Sequence, residues 1–351
     1  MKQPTVHIIG AGLCGLTLAY LLKKKGIKSV VLEANNRIGG RIDTRYADKI
    51  GSIEMGATWC NDTHHKLLHL LQELNISYTK QYTSGVSFFE TSNAYEPQRF
   101  SIPDNEAPSY RIDGGTFQLI AALEKNLDSS SIQLNEKVRQ IKYDQSKIII
   151  ETTSGKQIEA DYVVSTLPPN LLVGTVQFEP ELPLDLTAIA QKTHTWMGES
   201  IKFGLVYEHP FWKEKGYSGT VFSHVNWVQE MYDHSTNDKT FYALKGFLNG
   251  GASTLTLEER RQKIENQLQR ILGDEVKNAT HYFEKVWREE PFTFAPYASL
   301  IMAHQNNGHP IYTTPLFDNR FFISGSETAR EHPGYMEGAI QAAYYCSTYF
   351  N

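Results

Sequence analysis

The sequence predicts an α/β fold, in which helices flank a mostly parallel sheet and a second domain of mixed sheet and helix is inserted into the chain. Three observations support this prediction. A strand, a glycine-rich turn, a helix and a second strand follow one another in residues 5–33. Short apolar segments separated by turn residues fill residues 132–167, which is typical of strands. Beyond Pro168 and Pro169, the predicted strands carry large aromatic residues instead.

The remaining elements follow from the same patterns. Leucines at helical spacing predict a helix over about residues 63–74, a second begins after the glycine pair at 114–115, and a charged helix covers about 257–272. The change of pattern along the chain divides it into two domains. We expect one domain to comprise residues 1–76, 110–172 and 297–351, and the inserted domain to comprise residues 77–109 and 173–296.

The first strand ends at Ile9 and leads into a turn with the spacing G-x-G-x-x-G, and the second strand ends at Glu33. Glycines at these positions permit a tight turn, a close approach of the backbone to a pyrophosphate, and close packing of helix on strand. The N-terminus of the helix adds N–H donors, and an acid at position 33 can bind ribose hydroxyls. This pattern predicts a dinucleotide site formed by Gly10, Ala11, Gly12, Leu13, Gly15 and Glu33.

A second glycine-rich segment begins four residues after Glu33 and discriminates between dinucleotides, because the first motif alone does not separate FAD from NAD. Its paired glycines, Gly39 and Gly40, permit close backbone contact with a ligand. The flanking Arg37 and Arg41 can provide forked donors to a diphosphate. We therefore predict that these four residues bind the cofactor.

The stretch from Glu33 to Thr44 resembles the E-x-x-x-R-x-G-G-R-x-x-[ST] motif of flavoproteins related to monoamine and polyamine oxidases. Similar segments occur along nearly the whole nucleotide-binding domain, including Glu54 to Trp59, Asp113 to Thr116, and Ser324 to Ala339. The resemblance implies a Rossmann-like FAD-binding domain with an inserted mixed α+β substrate domain. It adds to the expected cofactor-binding residues Gly56, Ala57, Thr58, Trp59, Val138, Gly325, Glu327, Tyr335 and Met336.

The resemblance also implies three residues of the reaction centre. Lys202 matches a lysine that points at flavin N5 through a water, and Tyr297 and Tyr335 match two aromatic rings that face each other before the flavin. Electron-rich ring faces of this kind orient an amine. From the residues alone, a solvent-facing Lys202 agrees equally well with the pattern. Core packing likewise accounts for any single tyrosine among the 19.

The activity implied by the resemblance is oxidation of an amine to an imine, which hydrolyses to an aldehyde or ketone. We expect O2 to reoxidise the flavin, giving H2O2. Pro296 stands where family members that tether FAD covalently have a cysteine, so we expect non-covalent FAD. Trp59 occupies a position where amino-acid oxidases often have an arginine, which disfavours an amino-acid substrate.

Alternative interpretations remain open at this point. Carotenoid-type desaturases, protoporphyrinogen-type oxidases and renalase-like oxidases share the nucleotide motifs but do not require Lys202 together with the tyrosine pair. A flavin-dependent isomerase with no net oxidation is a further alternative. The sequence does not identify the amine. Segment 77–109 is short for the family, so that the cavity is either wide or capped by a partner subunit. His64 and His65 either line the cavity or begin a helix.

Composition and charge exclude other classes of protein. The net charge of -5 at pH 7 comes from interspersed signs, whereas a nucleic-acid-binding domain needs a basic stripe. We expect no membrane anchor, because the sequence contains no long apolar segment, and we expect a cytoplasmic protein. Three cysteines, Cys14, Cys60 and Cys346, have no metal-ligand spacing and are predicted to be reduced thiols.

Overall fold

The computed structural model describes residues 4–47, 51–103, 105–238 and 240–350. The α-helices in these ranges are α1 (Leu13–Lys24), α2 (His65–Glu73), α3 (Phe117–Lys125), α4 (Pro169–Thr175), α5 (Leu184–Gln191), α6 (Phe211–Glu214), α7 (Leu257–Leu272) and α8 (Met336–Ser347). The helices predicted for about residues 63–74, after the glycine pair at 114–115 and for about residues 257–272 are confirmed as α2, α3 and α7.

The strands in the same ranges are β1 (Thr5–Ile9), β2 (Lys28–Leu32), β3 (Thr44–Ala47), β4 (Gly51–Glu54), β5 (Trp59–Asn61), β6 (Tyr78–Lys80), β7 (Val86–Glu90), β8 (Gln98–Phe100), β9 (Ser109–Ile112), β10 (Ile132–Gln133), β11 (Val138–Tyr143), β12 (Ile148–Thr152), β13 (Gln157–Ala160), β14 (Tyr162–Ser165), β15 (Gln177–Glu179), β16 (Ile201–Tyr207), β17 (Tyr217–Ser223), β18 (Val228–Asp233), β19 (Tyr242–Leu248), β20 (His281–Val286) and β21 (Phe321–Ile323). The strand-rich character predicted for residues 132–167 is confirmed by β10 to β14.

A parallel sheet of five strands carries the N-terminal unit. Its strand order is β10-β2-β1-β14-β21, and all four pairings are parallel. Helix α1 packs on this sheet together with α2, α3 and α8 through an apolar core. The carboxyl ends of β1 and β2 lie at one edge, where the chain continues into Gly10 and Glu33. Ligands of open α/β sheets bind at this edge, so the fold positions both motif residues for one site.

A second, mixed sheet of seven strands has the order β20-β16-β19-β18-β17-β7-β8. Strand β16 lies between β19 and β20, and both pairings are antiparallel. Helix α7 packs on one face of this sheet through Ile264 and Leu268. A capping box fixes the start of α7, since the Thr256 hydroxyl accepts from the Glu259 N–H while the Glu259 carboxylate accepts from the Thr256 N–H.

Three smaller sheets complete the fold, with the orders β13-β12-β11-β15, β5-β9-β6 and β3-β4. The hairpin β3-β4 presses Ile53 and Met55 against the seven-stranded sheet. At the point of contact, a Cβ atom on Gly204 would lie 2.1 Å from the Cδ1 of Ile53. The missing side chain therefore lets the segment after β4 run directly over β16.

The α/β fold predicted from the sequence is confirmed. The boundaries proposed for the two domains stay a prediction. Within residues 4–47, 51–103, 105–238 and 240–350, every helix is too short or too polar to cross a membrane.

Candidate active site

A cavity of about 1110 Å³ extends from the carboxyl ends of β1 and β2 to the seven-stranded sheet. One wall consists of glycine-rich loops and the other of side chains from strands. Most of the residues predicted from the sequence line it: Gly10, Gly12, Leu13, Glu33, Arg37, Gly39, Gly40, Arg41, Gly56, Ala57, Thr58, Trp59, Val138, Lys202, Tyr335 and Met336. The predicted residues Ala11, Gly15, Gly325, Glu327 and Tyr297 are not part of the lining within the described chain.

The glycine turn after β1 has two glycines with opposite surroundings. A Cβ atom on Gly15 would lie 2.0 Å from the backbone oxygen of Gly10, so Gly15 is required for α1 to pack against the turn. A Cβ atom on Gly12 would meet nothing closer than the Cα of Gly40 at 3.9 Å. The protein therefore needs Gly15 for its own packing, whereas the space in front of Gly12 is open to a ligand.

The predicted ribose acid, Glu33, is buried at the rim of the cavity. Its carboxylate accepts a hydrogen bond of 2.7 Å from the N–H of Ala11 and one of 2.8 Å from the N–H of Asn35. Burial raises the pKa of Glu33, although these backbone donors and Arg37 oppose the effect. Ala11 in turn accepts from the N–H of Gly39 at 2.8 Å. Ala11 therefore connects the two glycine segments to the acid rather than lining the cavity.

The two arginines of the second glycine segment play different structural roles. Arg37 donates to the backbone oxygens of Gly40 at 2.9 Å and Ile42 at 3.1 Å, which fixes the loop around the paired glycines. Arg41 donates to both carboxylate oxygens of Glu327, at 2.6 and 2.9 Å. Burial on its own would raise the pKa of Glu327, but Arg41 holds it below its ordinary value. Glu327 thus lies behind the arginine and not at the cavity surface.

Lys202 on β16 is only 5% exposed, which rules out the solvent-facing interpretation. Its Nζ donates to the backbone oxygen of Gly56 at 2.5 Å and lies 4.9 Å from the ring centre of Phe247. Burial lowers the pKa of Lys202 to about 8, although the carboxylate of Glu54 opposes the shift. Lys202 is therefore a buried amine at the strand wall of the cavity.

A second buried lysine, Lys245 on β19, was not predicted as a site residue from the sequence. It pairs in register with Gly204, two positions from the pair formed by Lys202 and Phe247, so both lysines lie on the same face of the sheet. The Nζ of Lys245 contacts the hydroxyl oxygen of Thr58 and lies 4.5 Å above the ring of Trp59. A single lysine within the apolar strand Tyr242–Leu248 was the available signal.

One buried carboxylate lies near the two lysines. Glu54 accepts from the hydroxyl of Thr44 at 2.8 Å and from the N–H of Thr116 at 2.7 Å, which ties it to the glycine pair that opens α3. Burial raises the pKa of Glu54, against the effect of Lys245. Burial also lowers the pKa of Lys245 well below its ordinary value, and the nearby Lys202 adds to this shift. Two buried amines thus lie near one buried carboxylate.

The two predicted tyrosines lie in different surroundings. Tyr335 lines the cavity, and its ring neighbours are Trp196 at 5.5 Å and the two histidines His304 and His64, both at 6.1 Å. The hydroxyl of Tyr297 instead accepts from the backbone N–H of Thr195 at 2.7 Å. Burial raises the pKa of Tyr297, since its ring packs against Phe294. The structure therefore brings Trp196, and not Tyr297, next to Tyr335.

The structure also shows where His64, His65 and the short segment 77–109 lie. His64 precedes α2 and is buried against His332, with ring centres 4.8 Å apart, and His65 is exposed as the first residue of α2. Neither belongs to the cavity lining in the part of the chain that the structure describes. Segment 77–109 contributes Gln81, Tyr82 and Phe100 to the lining. In the same seven-stranded sheet as Phe100, β17, β18 and β19 supply Phe222, Tyr232 and Phe247, which the sequence did not indicate as site residues.

The loop wall fits a dinucleotide. The open space at Gly12 faces the N-terminus of α1, where N–H donors favour a phosphate. A Cβ atom on Gly40 would lie 3.2 Å from the Cα of Gly12, so the two glycine loops approach each other closely across this point. The strand wall offers an apolar, aromatic surface with one buried amine, Lys202.

Comparison with known proteins gives a consistent result. The family model described as flavin-containing amine oxidoreductase matches residues 13–90 and 78–349 of the chain. A probable flavin-containing monoamine oxidase A of Dictyostelium discoideum is 24% identical over 97% of this chain and 95% of its own. Human flavin-containing amine oxidase B is 24% identical over 96% of this chain and 84% of its own.

Solved structures of similar fold cover nearly the whole chain. The structure of putrescine oxidase bound to putrescine superimposes with a TM-score of 0.85 at 24% identity, covering 99% of this chain and 98% of that one. Cyclohexylamine oxidase from Brevibacterium oxydans gives a TM-score of 0.87 at 19% identity, with the same coverage. At these identities, the superpositions establish the fold.

Proposed function

This chain belongs to the flavin-containing amine oxidoreductase family, and on that premise we propose that it oxidises an amine to an imine with non-covalent FAD. The imine hydrolyses to an aldehyde or ketone, and O2 takes up the two electrons and two protons to give H2O2. For a primary amine, the balanced reaction is R–CH2–NH2 + O2 + H2O giving R–CHO + NH3 + H2O2. The observation that carries this proposal is the buried Lys202 beside Gly56 at the strand wall of the cavity.

The loop wall is proposed to bind the cofactor. FAD, when bound, supplies the acceptor for a hydride from the carbon next to the amine nitrogen. Backbone N–H groups near Gly12 would hold its diphosphate, and Glu33 would accept from the ribose. Arg37 would act mainly by fixing the loop, because its guanidinium donates to backbone oxygens.

The strand wall is proposed to arrange the substrate. The aromatic side chains Phe222, Tyr232 and Phe247 exclude water from the carbon chain of the amine. Tyr335 presents a ring face that orients the amine nitrogen. Lys202 would hold a water through its remaining N–H groups, and in its protonated form would stabilise negative charge that develops on O2.

Two features support non-covalent binding. Pro296 is exposed and offers no thiol for a covalent bond. Cys14 lines the cavity, but burial raises the pKa of its thiol to about 12, so the nucleophilic thiolate is scarce at neutral pH. We therefore expect acid or heat denaturation to release FAD. Flavin that remains with the denatured chain in gel filtration would exclude non-covalent binding.

The decisive experiment is anaerobic mixing of the yellow protein with a panel of monoamines, polyamines and amino acids. Lasting loss of the oxidised flavin absorbance with an amine, followed by H2O2 release on admitting air, supports the proposal. We expect Tyr335→Leu to slow flavin reduction, and Lys202→Met chiefly to slow reoxidation, when both steps are measured by stopped flow. If no amine reduces the flavin while dithionite does, amine oxidation is excluded.

A further inference from the structure

Three aromatic residues, Trp196, His304 and Tyr335, form an aromatic corner beside the cavity. Trp196 and Tyr335 both line the cavity, and their ring centres are 5.5 Å apart with planes inclined by 37°. His304 stacks on Trp196 at 4.1 Å and 24°, and is nearly parallel to Tyr335 at 6.1 Å. This aromatic corner arises from three separate segments of the chain.

The backbone around it holds Trp196 in place. A Cβ atom on Gly334 would lie 2.4 Å from the Cβ of Trp196, and Gly334 has a φ of +87°, so glycine is required beneath the indole. The backbone oxygen of Trp196 accepts from Arg41 at 3.1 Å. Met197, the next residue, has a φ of +57°, which turns the chain sharply after the indole. These features of the backbone fix the position of Trp196.

Tyr297 lies behind this corner. Its hydroxyl binds the N–H of Thr195, the residue before Trp196, and its ring is roughly parallel to that of His194 at 6.3 Å and 26°. His194 in turn accepts from the N–H of His304 at 3.2 Å. Tyr297 thus contacts the same loop as Trp196, while Tyr297 itself is not part of the lining in the described residues.

The ring separation decides where a substrate can lie. A carbon chain needs about 3.5–4.0 Å to the atoms on each side, so a ligand held between two parallel rings needs a separation of about 7 Å or more. The 5.5 Å between Trp196 and Tyr335 is too short for this. A substrate must therefore lie against the cavity side of the corner, and the indole fills the space beside Tyr335.

We infer that Trp196 is a specificity-determining residue, which limits the bulk that an amine can carry on the carbon being oxidised. Tyr297 is a positioning residue that acts on Trp196 through the backbone of Thr195. This inference rests on the proposed function and assigns the second wall of the amine site to a residue that the sequence motifs do not indicate.

The test compares amines that differ by one methyl group on the oxidised carbon: n-butylamine with sec-butylamine, and benzylamine with α-methylbenzylamine. One methyl group in a pocket changes kcat/KM by about 10-fold or more. In Trp196→Ala, we expect the ratio of unbranched to branched kcat/KM to fall at least 10-fold, and in Trp196→Phe less. Tyr297→Phe should lower the ratio in the same direction but by a smaller factor.

A binding measurement separates this inference from the reaction itself. tert-Butylamine has no hydrogen on the carbon next to nitrogen and cannot be oxidised, so its Kd follows from the perturbed flavin absorbance. We expect Trp196→Ala to bind it at least 10-fold more tightly than wild type. Trp227→Phe is the matched control, because Trp227 lies under Lys263 outside the described cavity lining. It should change neither the ratio nor the Kd.

The outcomes are distinguishable. If no amine reduces the flavin, the proposed function fails, and the tert-butylamine Kd alone decides the role of Trp196. If amines reduce the flavin but Trp196→Ala and Trp196→Phe leave both the ratio and the tert-butylamine Kd unchanged, the inference is overturned. A larger loss of selectivity in Tyr297→Phe than in Trp196→Ala also overturns it, because Tyr297 would then act directly.

Discussion

The two walls of the cavity are built on different physical principles. The loop wall presents mainly backbone groups, and its segments fix one another through contacts such as Ala11 with Glu33 and Arg41 with Glu327. The strand wall presents side chains, among them Lys202, which is buried together with Lys245 near the carboxylate of Glu54. The loop wall depends on local backbone geometry, which tolerates little change at a glycine. The strand wall depends on the burial of its side chains, which shifts the pKa values of its ionisable groups.

The largest expected effect tests the backbone geometry of the loop wall. Gly15→Ala forces a Cβ atom to within 2.0 Å of the Gly10 oxygen, so α1 cannot pack against the turn. We expect little folded, flavin-containing protein. Gly174→Ala is the control, because its Cβ would meet no atom within 4 Å. Circular dichroism and the ratio of flavin to protein absorbance report the result. Wild-type flavin content in Gly15→Ala would contradict this account of the turn.

The next effect concerns the ion pair behind the loop wall. Arg41→Ala leaves the fully buried Glu327 without its partner, and breaking a buried pair in this way costs about 3–5 kcal/mol. Urea unfolding should show this loss at pH 7. Combining Arg41→Ala with Glu327→Gln removes the unpaired charge and should recover part of the stability. If the single variant loses under about 1 kcal/mol, Glu327 finds another partner or takes up a proton.

A third prediction addresses the buried amine of the strand wall. A pKa lowered from 10.5 to about 8 corresponds to about 3 kcal/mol of destabilisation while the lysine is charged in both states. Below pH 8, both the folded and the unfolded forms carry this charge, so Lys202→Met should be the more stable protein. Between pH 8 and 10.5, the folded form loses its proton first and wild type regains stability. The advantage of Lys202→Met should therefore shrink over this window.

Urea unfolding of both proteins at pH 7 and at pH 10.5 measures this difference. Lys263→Met serves as the control, because the ammonium of Lys263 also lies over an aromatic ring, that of Trp227, but its side chain is only half-buried. Its effect should vary little between the two pH values. An equal effect of Lys202→Met at both pH values would show that burial does not perturb the lysine.

The smallest expected effect concerns Gly12, the position of the loop wall that faces a ligand, in contrast to Gly15, which packs on protein. Gly12→Ala places its Cβ 3.9 Å from the nearest protein atom, and the backbone φ of -76° is allowed for alanine. We expect the free energy of unfolding without flavin to change by less than about 0.5 kcal/mol. Flavin affinity should fall at least 10-fold, about 1.4 kcal/mol. An unchanged flavin Kd would place the diphosphate elsewhere.

The sequence by itself predicted the α/β fold and most of the loop wall. The reason is locality: Gly10, Gly12 and Glu33 lie within one strand-turn-helix-strand unit, so their spacing already fixes their geometry. A glycine-rich turn at the carboxyl end of a parallel strand indicates a ligand site in any open α/β sheet. The resemblance to a family then added Lys202 and Tyr335, which the structure finds at the cavity.

Only the tertiary structure decided how the strand wall and the aromatic corner are built. In the sequence, Lys245 is only one polar residue in an apolar strand. The register of the sheet shows that it lies on the same face as Lys202. Trp196 and Tyr335 lie in separate segments of the chain, and the space that each fills depends on Gly334 and on the loop that carries His304. Arg41 and Glu327 are 286 positions apart in the sequence. Burial and contact at such separations result from packing, whereas a sequence pattern encodes only its own neighbourhood.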